Sequence, residues 1–281
     1  MRGYRQETMD RIRRWLIRRL SRKVGPYLKA RGLWQVNKHN PALMWEPGDE
    51  RVLVLAPHMD DEVIGCGGTL HRHVQRGGEI TVVYLTDGRY GGQIPPEAKS
   101  HELTQVRRAE AQQALATLGI QNALFLNAEE TQLATTPALS HLLREILTTL
   151  RPHLVYLPFF WEEHPDHRAA NQLLLDAVAH GNLHFDCYAY EVWTPLSPNC
   201  LVEITSVVEI KRQALQCYQS QLIENNYAHA ILGLNAYRAI ALSDSGKHFV
   251  EAFFMAPLIE YQELYRKHQQ ISTAELPRRP S

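Results

Sequence analysis

Short apolar runs alternate with amphipathic stretches along most of this chain. Residues 51–56 (Arg-Val-Leu-Val-Leu-Ala) form one run that stops at Pro57, and residues 79–86 form another that stops at Asp87-Gly88. Runs of this length, rich in Val, Ile and Leu and closed by turn residues, predict buried strands. Further strands are expected at 122–127, 153–160, 187–193 and 249–255. Between them the spacing of apolar positions predicts helices over 62–76, 101–118 and 137–150, and another after His167. Others are expected over 208–221, over about 227–241, and in a last stretch to about 269. Gly77-Gly78 and Gly119 end the first two helices, while Gly65, Gly67 and Gly68 permit close packing of the first.

Strands separated by helices predict an α/β fold, a mostly parallel, Rossmann-like sheet with helices on both faces. The active site of such a sheet lies at the C-terminal ends of the strands, where strand order reverses. Three polar turns, at 58–61, 87–88 and 164–167, directly follow strands and should line one crevice.

Residues 1–48 differ in character. Met9, Ile12, Leu16, Leu20 and Val24 recur at three- and four-residue steps among Arg11, Arg13, Arg14, Arg18, Arg19, Arg22 and Lys23. That pattern predicts a basic amphipathic helix. It either packs its apolar stripe on the main domain or makes a peripheral contact with an anionic membrane, with Trp15 at the interface. Pro26, Gly32, Pro41 and Pro47-Gly48 mark a linker to a main domain over 49–270, and 271–281 reads as a disordered tail.

At 281 residues the chain suffices for one full α/β core. Its formal net charge is zero, so no global field favours nucleic acid as a partner. Cys66, Cys187, Cys200 and Cys217 form no CxxC pair, which argues against a zinc ribbon or disulfide framework and for a reducing compartment. No apolar stretch of about 18 residues exists, and the basic start lacks the core of a secretory signal. The expected location is cytoplasmic, with the inner face of the membrane as its variant. No sequence feature sets the oligomeric state.

The chemistry sits in two turns. His58 and Asp61 follow the first strand, and His167 follows a strand about a hundred residues later. Two imidazoles and one carboxylate leave coordination positions open, the arrangement of a catalytic zinc rather than a structural one. Ferrous iron or another divalent ion would accept the same donors. Asp60, beside a ligand but pointing elsewhere, suits a general base for water. His164 would hydrogen-bond the developing oxyanion or protonate the leaving amine, and Asp166 would orient an imidazole. Taken singly, His-x-Asp-Asp also fits a polar turn with a helix N-cap, and His-Pro-Asp-His a capped helix start. Two such motifs at strand ends of one series favour the metal.

Together these motifs resemble the PIG-L/LmbE-like family of metal-dependent de-N-acetylases, whose hallmarks are Pro-His-x-Asp-Asp-Glu after the first strand and a later His-x-Asp-His. Here they are Pro57-His58-Met59-Asp60-Asp61-Glu62 and His164-Pro165-Asp166-His167. Leu85-Thr86-Asp87-Gly88, Arg107 with Glu110, Leu118-Gly119, Lys211 with Ala214-Leu215 and Ser220-Gln221, and Glu251-Ala252-Phe253 extend the resemblance over residues 51–257. It implies zinc-dependent removal of an N-acetyl group from an N-acetylglucosamine-type glycoconjugate, either a small molecule or a lipid-linked amino sugar. By the same resemblance His58, Asp61 and His167 bind metal, Asp60 is the base and His164 assists the oxyanion. Met59 replaces the proline common at a non-ligand position. Glu162-Glu163 stand where some relatives carry a tyrosine, so no tyrosine role transfers.

Secondary candidates divide between substrate and structure. Asp87 would contact sugar hydroxyls or end its strand in an Asx turn. Arg107 or Arg108 would hold substrate or pair with Glu110, and Ser220-Gln221 would approach the crevice or cap a helix. Tyr188, Tyr190 and Trp193 would wall a sugar ring or fill the core. Two other functions compete. A metal phosphoesterase would want two ions and more bridging carboxylates than are present. A silent glycan-binding or assembly protein would need neither Asp60 nor His164.

Overall fold

The computed structural model describes residues 42–90, 100–179, 181–222, 226–242 and 246–274. The expected basic helix near the N-terminus lies outside these residues, as do 91–99 and 275–281. Two compact units are present. One spans Ala42–Leu258 and carries the sheet; the described part of the other is a helix that continues to Ala274, four residues into the stretch expected as tail. Among the described residues no helix is long and apolar enough to cross a membrane.

The sheet contains β1 (Leu43–Met44), β2 (Arg51–Ala56), β3 (Glu79–Thr86), β4 (Asn122–Ala128), β5 (Leu154–Pro158), β6 (Asp186–Tyr190), β7 (Cys200–Glu203) and β8 (Val250–Pro257). Their order is β1-β7-β8-β6-β5-β2-β3-β4. All neighbours pair in parallel except β8, which runs antiparallel to both β6 and β7. From β2 the chain moves outward through β3 and β4, then returns to the other side of β2 as β5. Strand order therefore reverses between β2 and β5, which opens a crevice beyond their carboxyl ends.

The helices of this unit are α1 (Asp61–Gln75), α2 (Ser100–Leu118), α3 (Pro137–Leu150), α4 (Pro165–Val178), α5 (Val208–Gln216), α6 (Gln219–Leu222) and α7 (Tyr227–Arg238). Side chains alternate across a strand, so Val52, Val54 and Ala56 of β2 join one core with residues of α1, α2 and α5. Leu53 and Leu55 face the other side and are equally buried; there α3 packs on α4 and α4 on β5. Burial on both faces explains why β2 and β3 read as continuous apolar runs.

Two elements stop earlier than their hydrophobic pattern suggests. The run at 187–193 leaves the sheet at Tyr190 because the amides of Val192, Trp193 and Thr194 turn to the Glu162 carboxylate. The run at 208–221 breaks into α5 and α6, where Glu110 Oε1 and Oε2 accept the Ser220 N–H and hydroxyl at 2.7 and 2.6 Å.

Helix α1 sits hard against the sheet. A Cβ on Gly65 would meet the Tyr190 ring at 2.2 Å, and one on Gly68 would meet Ile204 at 2.7 Å. A fully buried ion pair holds the same turn. Lys211 Nζ donates to Glu251 Oε1 at 2.6 Å and to the Ile64 carbonyl at 2.9 Å, while Glu251 accepts the N–H groups of Gly68 and Thr69. The pair thus occupies backbone groups of α1 that lie four residues apart, directly behind the 58–61 turn.

Candidate metal centre and active site

The 58–61 turn follows β2 and residues 164–167 cap and open α4, so both sequence motifs meet at the crevice. Three donor atoms converge there. Asp61 Oδ2 lies 3.2 Å from His58 Nδ1 and 3.3 Å from His167 Nε2, and those two nitrogens are 3.2 Å apart. Ligands about 2.0–2.2 Å from a tetrahedral ion stand roughly 3.3–3.6 Å from each other. The donors present fit such an ion. His58, His164 and His167 also form a group whose nitrogens all lie within 4.8 Å, which could hold a metal ion. The closest triangle, however, uses Asp61, with His164 half-buried at its edge.

Buried carboxylates stand against the outer nitrogen of both imidazoles. His58 Nε2–H donates to Asp166 Oδ2 at 3.0 Å, which leaves Nδ1 turned toward Asp61. Asp166 itself is held by the N–H groups of Thr131 at 2.7 Å and Leu133 at 3.0 Å. Thr131 adopts φ 67°, a left-handed conformation disfavoured for a β-branched residue, and that geometry presents its amide to Asp166. On the other imidazole, Glu162 Oε2 lies 3.5 Å from His167 Nδ1. The role of Glu162 is not visible in the sequence motif, since its amide partners lie thirty or more residues downstream.

The site's electrostatics follow from burial and the central carboxylate. Burial disfavours charge on His58 and His167, but the carboxylates around them together outweigh it, Asp61 foremost, with Asp166 at His58 and Glu162 at His167, and lift them to about 10 and about 9. Asp61 is correspondingly held far below the usual range by the two imidazoles, against burial. Asp60 goes the other way. Burial and the adjacent Asp61 charge raise it to about 7. His164 is lowered by burial and by the neighbouring imidazoles; its Nδ1 accepts the Asp166 N–H at 3.2 Å, so the neutral ring carries its proton on Nε2. Next to Asp61, Glu62 is buried, lifted to about 8 mainly by desolvation, and takes a hydrogen bond from Tyr218.

The substrate candidates separate on geometry. Asp87 accepts the Arg89 N–H two residues on, at 3.3 Å, and also its guanidinium, so the Asx turn is formed. Arg107 is only 2% exposed; it bonds Glu130 Oε1 at 2.9 Å and the Met59 carbonyl at 3.3 Å, which places it beneath the Asp60 turn rather than in the crevice. Its expected helical partner Glu110 is taken by Ser220 instead. Tyr188 and Tyr190 are core residues, the latter donating to the Leu55 carbonyl at 2.9 Å, whereas Trp193 is exposed.

A model of the PIG-L family, described as GlcNAc-PI de-N-acetylase, matches residues 53–178. Diacetylchitobiose deacetylase of Thermococcus kodakarensis is 31% identical over 195 residues, 63% of this chain and 72% of that protein. The 1D-myo-inositol 2-acetamido-2-deoxy-alpha-D-glucopyranoside deacetylase of Mycobacterium sp. is 33% identical over 46% of this chain and 50% of its own length. Among solved structures, N,N'-diacetylchitobiose deacetylase from Pyrococcus horikoshii with its inhibitor MPG has a TM-score of 0.67 at 27% identity. That similarity covers 75% of this chain and 85% of the other.

Proposed function

The chain belongs to the PIG-L family, and we propose that it is a metal-dependent hydrolase that removes the N-acetyl group from an N-acetylglucosamine-type compound. Acetate and a free amine are the products. The carrying observation is the triangle of His58 Nδ1, Asp61 Oδ2 and His167 Nε2, 3.2–3.3 Å on each edge, at the sheet's switch point. The named deacetylases act on small amino-sugar compounds, which supports the same class of substrate here.

His58, Asp61 and His167 would hold the ion, with zinc the expected metal and ferrous iron compatible with the same donors. Bound there, such an ion would supply polarisation of the acetamide carbonyl and acidification of a water. The remaining work falls to the protein. Asp60, a carboxylate poised near neutrality, takes the proton as the water oxygen bonds to the carbonyl carbon. His164, neutral with its proton on Nε2, donates a hydrogen bond to the carbonyl oxygen as negative charge builds there. When the C–N bond breaks, the proton held by Asp60 passes to the amine nitrogen. Asp166 and Glu162 keep the two imidazoles aimed throughout.

A panel of N-acetylglucosamine conjugates tests this reading, with acetate and free amine measured before and after chelation. Equimolar products that vanish with chelator and return with zinc are expected. Phosphate release from phosphoesters, or no acetate from any acetamido sugar, would overturn it.

A further inference from the structure

Trp193 follows β6, whose parallel neighbour β5 leads into the 164–167 turn, so both segments emerge at the same end of the sheet. Its backbone is fixed from inside. Glu162 Oε2 accepts the Trp193 N–H at 3.2 Å and lies 3.5 Å from His167 Nδ1. Glu162 Oε1 takes the N–H groups of Val192 at 2.7 Å and Thr194 at 3.1 Å, and the Glu163 N–H donates to Thr194 Oγ1 at 3.3 Å. One buried carboxylate therefore joins a candidate metal-binding imidazole to the tryptophan's own peptide group.

The amide faces inward while the residue as a whole remains 50% exposed. Tyr227, at the start of α7, flanks it with ring centroids 5.7 Å apart and planes inclined by 60°. Leaving so large an apolar ring in water forfeits burial energy, and the clamped backbone fixes the point from which it projects. Its π face suits a partly apolar, partly C–H-polarised surface. The axial C–H face of a pyranose is such a surface. The acetamide must reach the buried His58–Asp61–His167 group, and Trp193 is the exposed aromatic residue whose backbone shares Glu162 with His167.

We infer that Trp193, supported by Tyr227, is the platform for the sugar ring next to the reacting one. This assignment rests on the de-N-acetylase reading and specifies the substrate class as an N-acetylated oligosaccharide or glycoside with a second pyranose. The binding energy it supplies is remote from the reacting bond, so its loss acts on KM more than on kcat.

The test compares N-acetylglucosamine with N,N'-diacetylchitobiose on metal-loaded wild type, Trp193→Ala and Trp193→Phe, with metal content and circular dichroism recorded for each. Trp193→Ala should raise KM for the disaccharide about tenfold, keep kcat within about twofold, and move KM for the monosaccharide less than twofold; Trp193→Phe should recover most of the loss. Equal effects on both sugars, no effect, or a loss confined to kcat would overturn the platform while the hydrolase reading stands. If wild type releases no acetate from either sugar, it is the hydrolase reading on these substrates that fails. Saturation-transfer NMR with the disaccharide then decides the stacking alone. Transfer to ring protons that Trp193→Ala abolishes supports it; transfer that persists, or none in wild type, overturns it.

Discussion

Asp60 is costly in both backbone and side chain. At φ 153° and ψ −24° it occupies a region that glycine enters freely and other residues rarely do. Hydrogen bonds from the Val63 and Ile64 amides to its carbonyl hold it there, and its carboxyl is buried against the Asp61 charge. Strain and a raised carboxyl at one position suit a base near neutral pH. Asp60→Asn keeps the shape and removes the proton acceptor. It should lower kcat by about 10²–10⁴-fold while zinc content by elemental analysis stays at the wild-type level. More than a tenth of wild-type turnover would exclude Asp60 as the base. Glu162→Gln leaves an acceptor for the 192–194 amides but removes the charge facing His167. Zinc affinity should weaken by roughly 10–100-fold, with kcat at saturating zinc near normal; an unchanged zinc Kd would reduce Glu162 to a loop anchor. These two carboxylates differ in how far the sequence discloses them. His58, Asp60, Asp61, Asp166 and His167 can be read because each motif packs its donors within a few positions. Glu162 acts through peptide groups that only the folded chain brings to it.

Helix α1 carries the first half of the site, and its seating depends on more than apolar contact. Lys211 and Glu251 are fully buried and charge-paired against backbone groups of Ile64, Gly68 and Thr69. Removing one charge strands the other in the core, which costs about 3–5 kcal/mol. Lys211→Met should therefore lower the urea-unfolding free energy by that amount, and adding Glu251→Gln should return part of it. A single-variant loss below about 1 kcal/mol would mean that water or a neighbour compensates the orphaned carboxylate. Apolar runs locate β2 and β3 because both their faces are covered. By contrast β1 and β7, two and four residues long, give periodicity too little length to register. The reversed direction of β8 has no signature in hydrophobic pattern, since parallel and antiparallel strands buried on both faces look alike. Likewise, nothing in the 208–221 stretch itself shows that Glu110, a hundred residues upstream, will hold Ser220 in a separate short helix after the break at 217–218.

The proposed ion position would join two turns that lie on opposite sides of the strand-order reversal, so its occupancy should bear on the stability of the whole Ala42–Leu258 unit. In chelated protein, protons and cations compete for the same lone pairs. His58 and His167 hold protons up to about 10 and about 9 because Asp61, together with Asp166 and Glu162, outweighs burial. At neutral pH zinc must displace protons, so its affinity rises with pH and its uptake releases protons. Calorimetric titrations of chelated protein at pH 7, in buffers of different ionisation enthalpy, should report at least one proton released per zinc. A binding enthalpy independent of buffer would show that both imidazoles were already neutral and that the Asp61 charge does not govern them. Stability follows by mass action. Zinc at a thousand times its Kd adds about 4 kcal/mol to the folded state, and Kd falls as pH rises. At fixed free zinc, the gain in Tm over chelated protein should therefore grow from about pH 6 to about pH 8, and Asp61→Asn, which lacks the governing charge, should lose most of both the gain and its slope.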